Sequence, residues 1–130
     1  MSENRTGPAL CHTERVVDGT TVVELRGEID LFTAPPLSAL LDLLSADLCP
    51  DVVLDLRRVT FLDCSGLRLL CRTRNRIRAR QGRLRLVLDS AGLLRVLRYA
   101  GLAGVFEVLP CPPEALAAGP AAGAVSATTC

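Results

Sequence analysis

Residues 51–70 read DVVLDLRRVTFLDCSGLRLL. The first six, DVVLDL, form a short apolar run rich in valine and leucine, which predicts a buried strand over 51–56. After a short connection, Asp63, Cys64, Ser65 and Gly66 punctuate the chain. A helix is predicted from about 66 to 80, with Leu69, Leu70, Thr73 and Ile77 on its apolar side. A strand that feeds a helix in this way is half of a β-α-β unit, and the rest of the chain repeats the pattern.

Upstream, TERVVDGTTVVELRGEID holds two β-rich runs separated by Asp18-Gly19, a hairpin turn signal. Thr33 precedes Ala34-Pro35-Pro36, so it reads as the N-cap of a helix that buries Leu37, Leu40, Leu41 and Leu44. Downstream, Gly82 marks a turn before a strand at 84–89, and Ser90 caps a helix that Gly101 ends. A last short strand is expected at 105–109, and a short helix near 112–118. The order β-β-α-β-α-β-α-β predicts an α/β fold. It has a mostly parallel mixed sheet, an antiparallel N-terminal β-hairpin, and helices packed unevenly against the sheet. Val53, Leu54, Leu56, Leu70, Leu86, Val87 and Leu94 are the expected core.

The chain has 130 residues, enough for one domain with one core. Residues 1–10 are polar and contain Gly7 and Pro8, so they read as a flexible arm. Residues 115–130, ALAAGPAAGAVSATTC, read as a low-complexity mobile tail. The folded domain is therefore expected over 11–114.

Net charge is +1, and all fifteen basic residues are arginine. This balance and the lack of a groove-reading element argue against direct nucleic-acid binding. One Tyr, three Phe and no Trp supply no base-stacking platform. No apolar stretch approaches the ~18 residues of a membrane span, and MSENRTGPAL has no apolar signal region. The expectation is a cytoplasmic protein without a membrane partner. Six cysteines, at 11, 49, 64, 71, 111 and 130, include no C-x-x-C pair, and His12 is the single histidine. A metal site is not expected, and the thiols are read as reduced, several as small core residues.

Asp63 to Gly66 lies at the carboxyl end of a strand, where sites cluster in such sheets. Three readings are open. Asp63 and Ser65 can simply cap the helix. The helix start, with its unpaired N–H groups and partial positive charge, favours a phosphoryl group there. Cys64 can be a nucleophile, but a phosphatase loop needs an arginine where Leu70 stands, and a papain-like pair has only His12 to use. An enzyme and a cofactor are therefore not expected. Arg68, Arg72, Arg76 and Arg80 recur every four residues as a stripe. That stripe is either a solvated face or a basic strip that meets an acidic partner.

GEIDLFTAPPL, VVLDLRRVTFLDCSGLRLL and LRVLRYAGLAGVFEV together resemble the STAS-domain family of anti-sigma factor antagonists, over roughly 14–114. The resemblance implies a STAS-like single domain whose partner is an anti-sigma factor, usually a serine kinase with a histidine-kinase-like ATPase fold. Binding that partner frees a sigma factor, and phosphorylation of the antagonist prevents binding. The family's acceptor is the serine directly after the motif aspartate. Here Asp63 matches the aspartate, Cys64 stands at the acceptor position and Ser65 follows. Ser65 is thus the phosphorylation candidate, and Asp63, Cys64, Ser65, Gly66, Arg68 and Arg72 are the expected partner-binding residues. Two other outcomes are a chain that is always competent to bind and one in which Cys64 brings redox control or none. The alternative function is a non-phosphorylated STAS scaffold or regulatory subunit of a larger signalling complex.

Overall fold

The computed structural model describes residues 10–102, 104–116 and 127–129. The other parts of the expected arm and tail, 1–9, 117–126 and 130, lie outside the described residues. In chain order the elements are β1 (Cys11–Val17), β2 (Thr20–Ile29), α1 (Ala34–Leu44), β3 (Asp51–Leu62), α2 (Cys64–Ala79), β4 (Arg83–Val87), α3 (Ala91–Tyr99), β5 (Glu107–Leu109), α4 (Pro113–Leu116) and β6 (Ala127–Thr129). The sheet order is β5-β4-β3-β2-β1-β6. β2, β3, β4 and β5 run parallel to one another, while β1 is antiparallel to both β2 and β6. This is the predicted α/β fold: an N-terminal hairpin joined to parallel strands by helical crossovers.

The hairpin turns where the sequence says it should. Asp18 and Gly19 adopt φ of 51° and 83°, the left-handed backbone that a tight two-residue turn requires. α1, α2 and α3 cover one face of the sheet. There Val23, Leu25, Val52, Leu54, Leu56 and Leu86 pack against Leu37, Leu41, Leu70, Ile77, Leu93 and Leu97. The opposite face carries a smaller apolar patch of Val22, Val53 and Val87.

Around that patch is a set of ion pairs. Asp51 takes Arg85 at 2.8 Å and the Thr20 hydroxyl at 2.8 Å. Asp55, only 1% exposed, accepts from Arg57 Nε at 2.9 Å and Nη2 at 2.7 Å. Hydrogen bonding to Asp55 raises the Arg57 pKa above its ordinary value, although burial opposes the shift. A buried carboxylate held by two guanidinium N–H groups is a compensated charge, unlike a lone one. The chain also places Glu114 of α4 on Arg15 of β1.

Several boundaries differ from the sequence reading. β3 runs to Leu62 rather than stopping at 56, because residues 58–62 keep pairing with β2 through two register shifts, one between Glu24 and Arg26 and one between Gly27 and Glu28. Val59 and Leu62 are buried while Arg57, Arg58, Thr60 and Phe61 are exposed, so the second half of the strand has lost simple alternation. α2 then begins at Cys64, with no connection longer than Asp63. The strands expected at 84–89 and 105–109 occupy 83–87 and 107–109, and the short helix spans 113–116.

Leu94 is not core. It is 37% exposed, and Leu93 and Leu97 point inward instead, one turn apart on the same face of α3. Thr33 makes no side-chain cap to α1. Its hydroxyl donates to the Glu28 carbonyl at 2.8 Å and accepts the Asp30 N–H at 2.9 Å. Thr33 thereby ties the end of β2 to the start of α1. Ser90 does cap α3, accepting from the N–H groups of Gly92 and Leu93. The cysteines also depart from expectation. Cys11 is disulfide-bonded; Cys49 and Cys64 are exposed free thiols, and Cys71 and Cys111 are half-buried ones. Among the described residues no helix is long and apolar enough to cross a membrane.

Candidate functional site

β2 and β3 lie side by side and end together, with Ile29 in register with Leu62. The Asp63 N–H donates to the Ile29 carbonyl at 3.3 Å, which binds the two chain ends to each other. Beyond them the chain turns twice, into α1 and into α2, so both helix starts stand at the same end of the sheet. The first turn is held by Asp30, whose Oδ1 accepts the N–H groups of Phe32 at 2.9 Å and Thr33 at 3.0 Å. An aspartate that bonds the backbone two and three residues on is a local turn device. It projects Leu31 and Phe32 outward, 67% and 76% exposed.

The second turn is held by Asp63, the N-cap of α2. Its backbone is extended (φ −101°, ψ −169°), and its Oδ1 accepts the Gly66 N–H at 3.1 Å. Of the two capping candidates, then, Asp63 is the cap. Ser65 is left in the first turn, half-buried, with Cys64 exposed beside it. Gly66 is buried against Leu62 and Ile29. A Cβ there would lie 2.3 Å from Leu62 Cδ1, 3.0 Å from Ile29 Cγ2 and 3.2 Å from the Ile29 carbonyl oxygen. The glycine is what lets α2 start so close to the ends of both strands.

Between the two helix starts is an open depression of about 250 Å³. One wall is Leu31, Ala34, Pro35 and Ser38; the other is Ser65, Arg68, Leu69 and Arg72. The structure therefore gathers Asp63, Cys64, Ser65, Gly66 and Arg68 at one end of α2.

Arg72 is placed differently. Its Nη1 donates to Ser38 Oγ at 2.8 Å and Asp42 Oδ1 at 2.9 Å, and its Nη2 to Asp42 Oδ2 at 3.1 Å. Arg76 Nε lies 3.2 Å from the same carboxylate, and Arg80 donates to the Ala46 carbonyl. Arg72 and Arg76 thus fasten α2 to α1, and Arg80 fastens it to the segment after α1. Arg68 makes no ion pair among the described residues. Sequence reasoning missed Leu31 and Phe32. Their signal was two large apolar side chains inside a turn, where polar residues are the rule.

The family profile described as Mlab, STAS domain, matches residues 12–110. Among solved structures, the chain is similar to an anti-sigma factor antagonist from Mycobacterium paratuberculosis. The identity is 32% and the TM-score 0.74, over 85% of this chain and 93% of the other. It shares its fold with a putative anti-sigma factor antagonist from Thermotoga maritima, at 17% identity and TM-score 0.69, over 81% and 91% of the two chains. The Bacillus cell fate determinant SpoIIAA in its phosphorylated form shares it too, at 23% identity and TM-score 0.60, over 79% and 93%. No curated protein sequence matches.

Proposed function

This chain belongs to the STAS-domain family, and we propose on that premise that it is an anti-sigma factor antagonist acting in the cytoplasm. It binds an anti-sigma factor, a serine kinase with a histidine-kinase-like ATPase fold, and so frees a sigma factor. The domain is regulatory, and its surface is the start of α2: Asp63, Cys64, Ser65, Gly66 and Arg68, with Arg72 bracing that helix against α1. One observation carries this reading. Two of the family segments, 27–37 and 52–70, meet at one exposed end of the sheet, with the Asp63 cap fixing the backbone and exposed apolar side chains beside it. Fixed backbone, exposed apolar area and a cation are what a protein-binding surface needs.

Ser65 is the proposed phosphorylation site. The γ-phosphoryl of ATP passes to Ser65 Oγ, the hydroxyl proton goes to solvent or a kinase base, and ADP leaves. The product carries about −1.5 to −2 charges at the positive end of α2. It adds bulk and charge to the contact surface without requiring the domain to unfold. A second reading rests on the exposed thiol of Cys64 at the family's acceptor position: a STAS scaffold or regulatory subunit that is never phosphorylated.

The test is a pull-down with the purified chain, followed by labelled-ATP transfer from the recovered kinase to wild type, Cys64→Ser and Ser65→Ala. Recovery of an anti-sigma factor, label on wild type and loss of label in Ser65→Ala are expected. Cys64→Ser should be labelled more strongly than wild type. Label that persists in Ser65→Ala puts the acceptor elsewhere. A partner set made only of other STAS proteins favours the scaffold.

A further inference from the structure

We propose that the depression beside Ser65 receives one apolar side chain of the anti-sigma factor, and that Arg68 on its rim pairs with an acidic residue of the same partner segment. This rests on the function proposed above and deepens it. At about 250 Å³ the depression falls short of the roughly 300–1,000 Å³ that drug-sized ligands occupy. It suits a single anchoring side chain instead. Leu69, 5% exposed, forms part of its wall opposite Ala34, and Leu31 and Phe32 extend the apolar surface outward. Large exposed apolar side chains around a concave apolar site are how an interface anchor is received.

The charge pattern selects the partner's chemistry. Asp42 is shared between Arg72 and Arg76 as their ion-pair partner, and Arg80 donates to the Ala46 carbonyl. Asp63, the nearest acid along the chain, is engaged as the helix cap. Among the described residues Arg68 is the member of the stripe with neither an ion pair nor a side-chain hydrogen bond, and it lines the apolar site. An apolar residue with Asp or Glu close by on the partner meets both features. Ser65 lies three residues before Arg68 on the same side of α2. A phosphoryl group on Ser65 would compete for Arg68 and fill the mouth, so one modification removes both contacts.

The experiment uses the full chain and the purified anti-sigma factor recovered by pull-down, with affinity measured by calorimetry. Leu31→Asp, Ser38→Trp and Arg68→Glu should each weaken binding at least tenfold while leaving the thermal melt within a few degrees of wild type. p-Benzoylphenylalanine in place of Phe32 should cross-link to a partner peptide that carries an apolar residue with Asp or Glu within four positions. Cys64→Arg, which adds bulk outside the depression at the start of α2, is the reference and should also weaken binding. If Cys64→Arg weakens binding while the three depression variants stay within twofold of wild type, this inference is overturned and the proposed function stands. If Cys64→Arg binds like wild type too, or no anti-sigma factor is recovered, the proposed function fails and takes the inference with it. A cross-linked peptide without an acidic residue overturns the role of Arg68. Variants that change only self-association in sedimentation would make the occupant a second copy of this chain, which also overturns it.

Discussion

Arg72 of α2 grips Asp42 of α1 with both terminal nitrogens, at 2.9 and 3.1 Å. The pair lies one turn along α2 from Arg68, below the depression that separates the two helices. Arg72 also lines that depression, beside Arg68. Both side chains of the pair are partly exposed, so the energy is modest, about 0.5–1 kcal/mol for the two-point geometry. A double-mutant cycle with Arg72→Gln and Asp42→Asn should return a coupling of that size in urea unfolding. Strict additivity of the two variants would show that the pair does not hold the helices.

Gly66→Ala should destabilise the domain by about 1–3 kcal/mol, the usual range for overpacking a filled site. The added methyl meets Leu62, Ile29 and the Ile29 carbonyl oxygen at once. Leu62 can shift, but the backbone oxygen cannot without disturbing β2. A denaturation midpoint equal to that of wild type would contradict the close approach of α2 to the two strands.

Leu93 and Leu94 provide a paired test of how α3 is turned. Leu93→Ala should cost about 2–4 kcal/mol, as buried leucines do, whereas Leu94→Ala should cost under about 1 kcal/mol. The reverse ranking would mean that α3 is rotated by one residue.

Glu114 and Arg15 predict a pH dependence. Burial pushes the Glu114 carboxyl up, but the Arg15 hydrogen bond, a backbone hydrogen bond and the Arg15 charge together outweigh it, and the carboxyl lies below its ordinary value. A carboxyl with a lowered folded-state pKa contributes stability above its unfolded pKa, about 4.3, and loses it as pH falls through the folded value. The melting-temperature difference between wild type and Glu114→Gln should therefore be constant near neutral pH, shrink below about pH 4 and vanish in stronger acid. A difference that persisted there would mean that the carboxylate charge contributes nothing.

Local signals carried most of the architecture. Asp18-Gly19 and Ser90 announced a hairpin and a cap because each satisfies its own neighbourhood, and the structure uses both as read. Phase and long-range pairing were not legible. Adjacent leucines at 93 and 94, with a third at 97, left open which faced inward, since Leu93 and Leu94 differ only by tertiary contact. The second half of β3 hid because Arg57 and Arg58 break the apolar run while the backbone keeps its ladder with β2. At the site, the DCSG cluster stood out as residue types at a helix start. That Asp42 would pair with two arginines of the stripe, while Arg68 pairs with no acid among the described residues, depends on contacts 30 or more residues apart. No periodicity encodes them.

β6 covers the first part of the outer edge of β1, pairing His12 with Thr129 and Glu14 with Ala127. At the opposite edge β5 is only three residues long. A hairpin strand of seven residues left bare would offer a ladder of free donors and acceptors to any passing chain. The C-terminal strand occupies the His12–Glu14 part of that ladder within the molecule. Its removal should therefore show first as concentration-dependent aggregation, not as a change of fold.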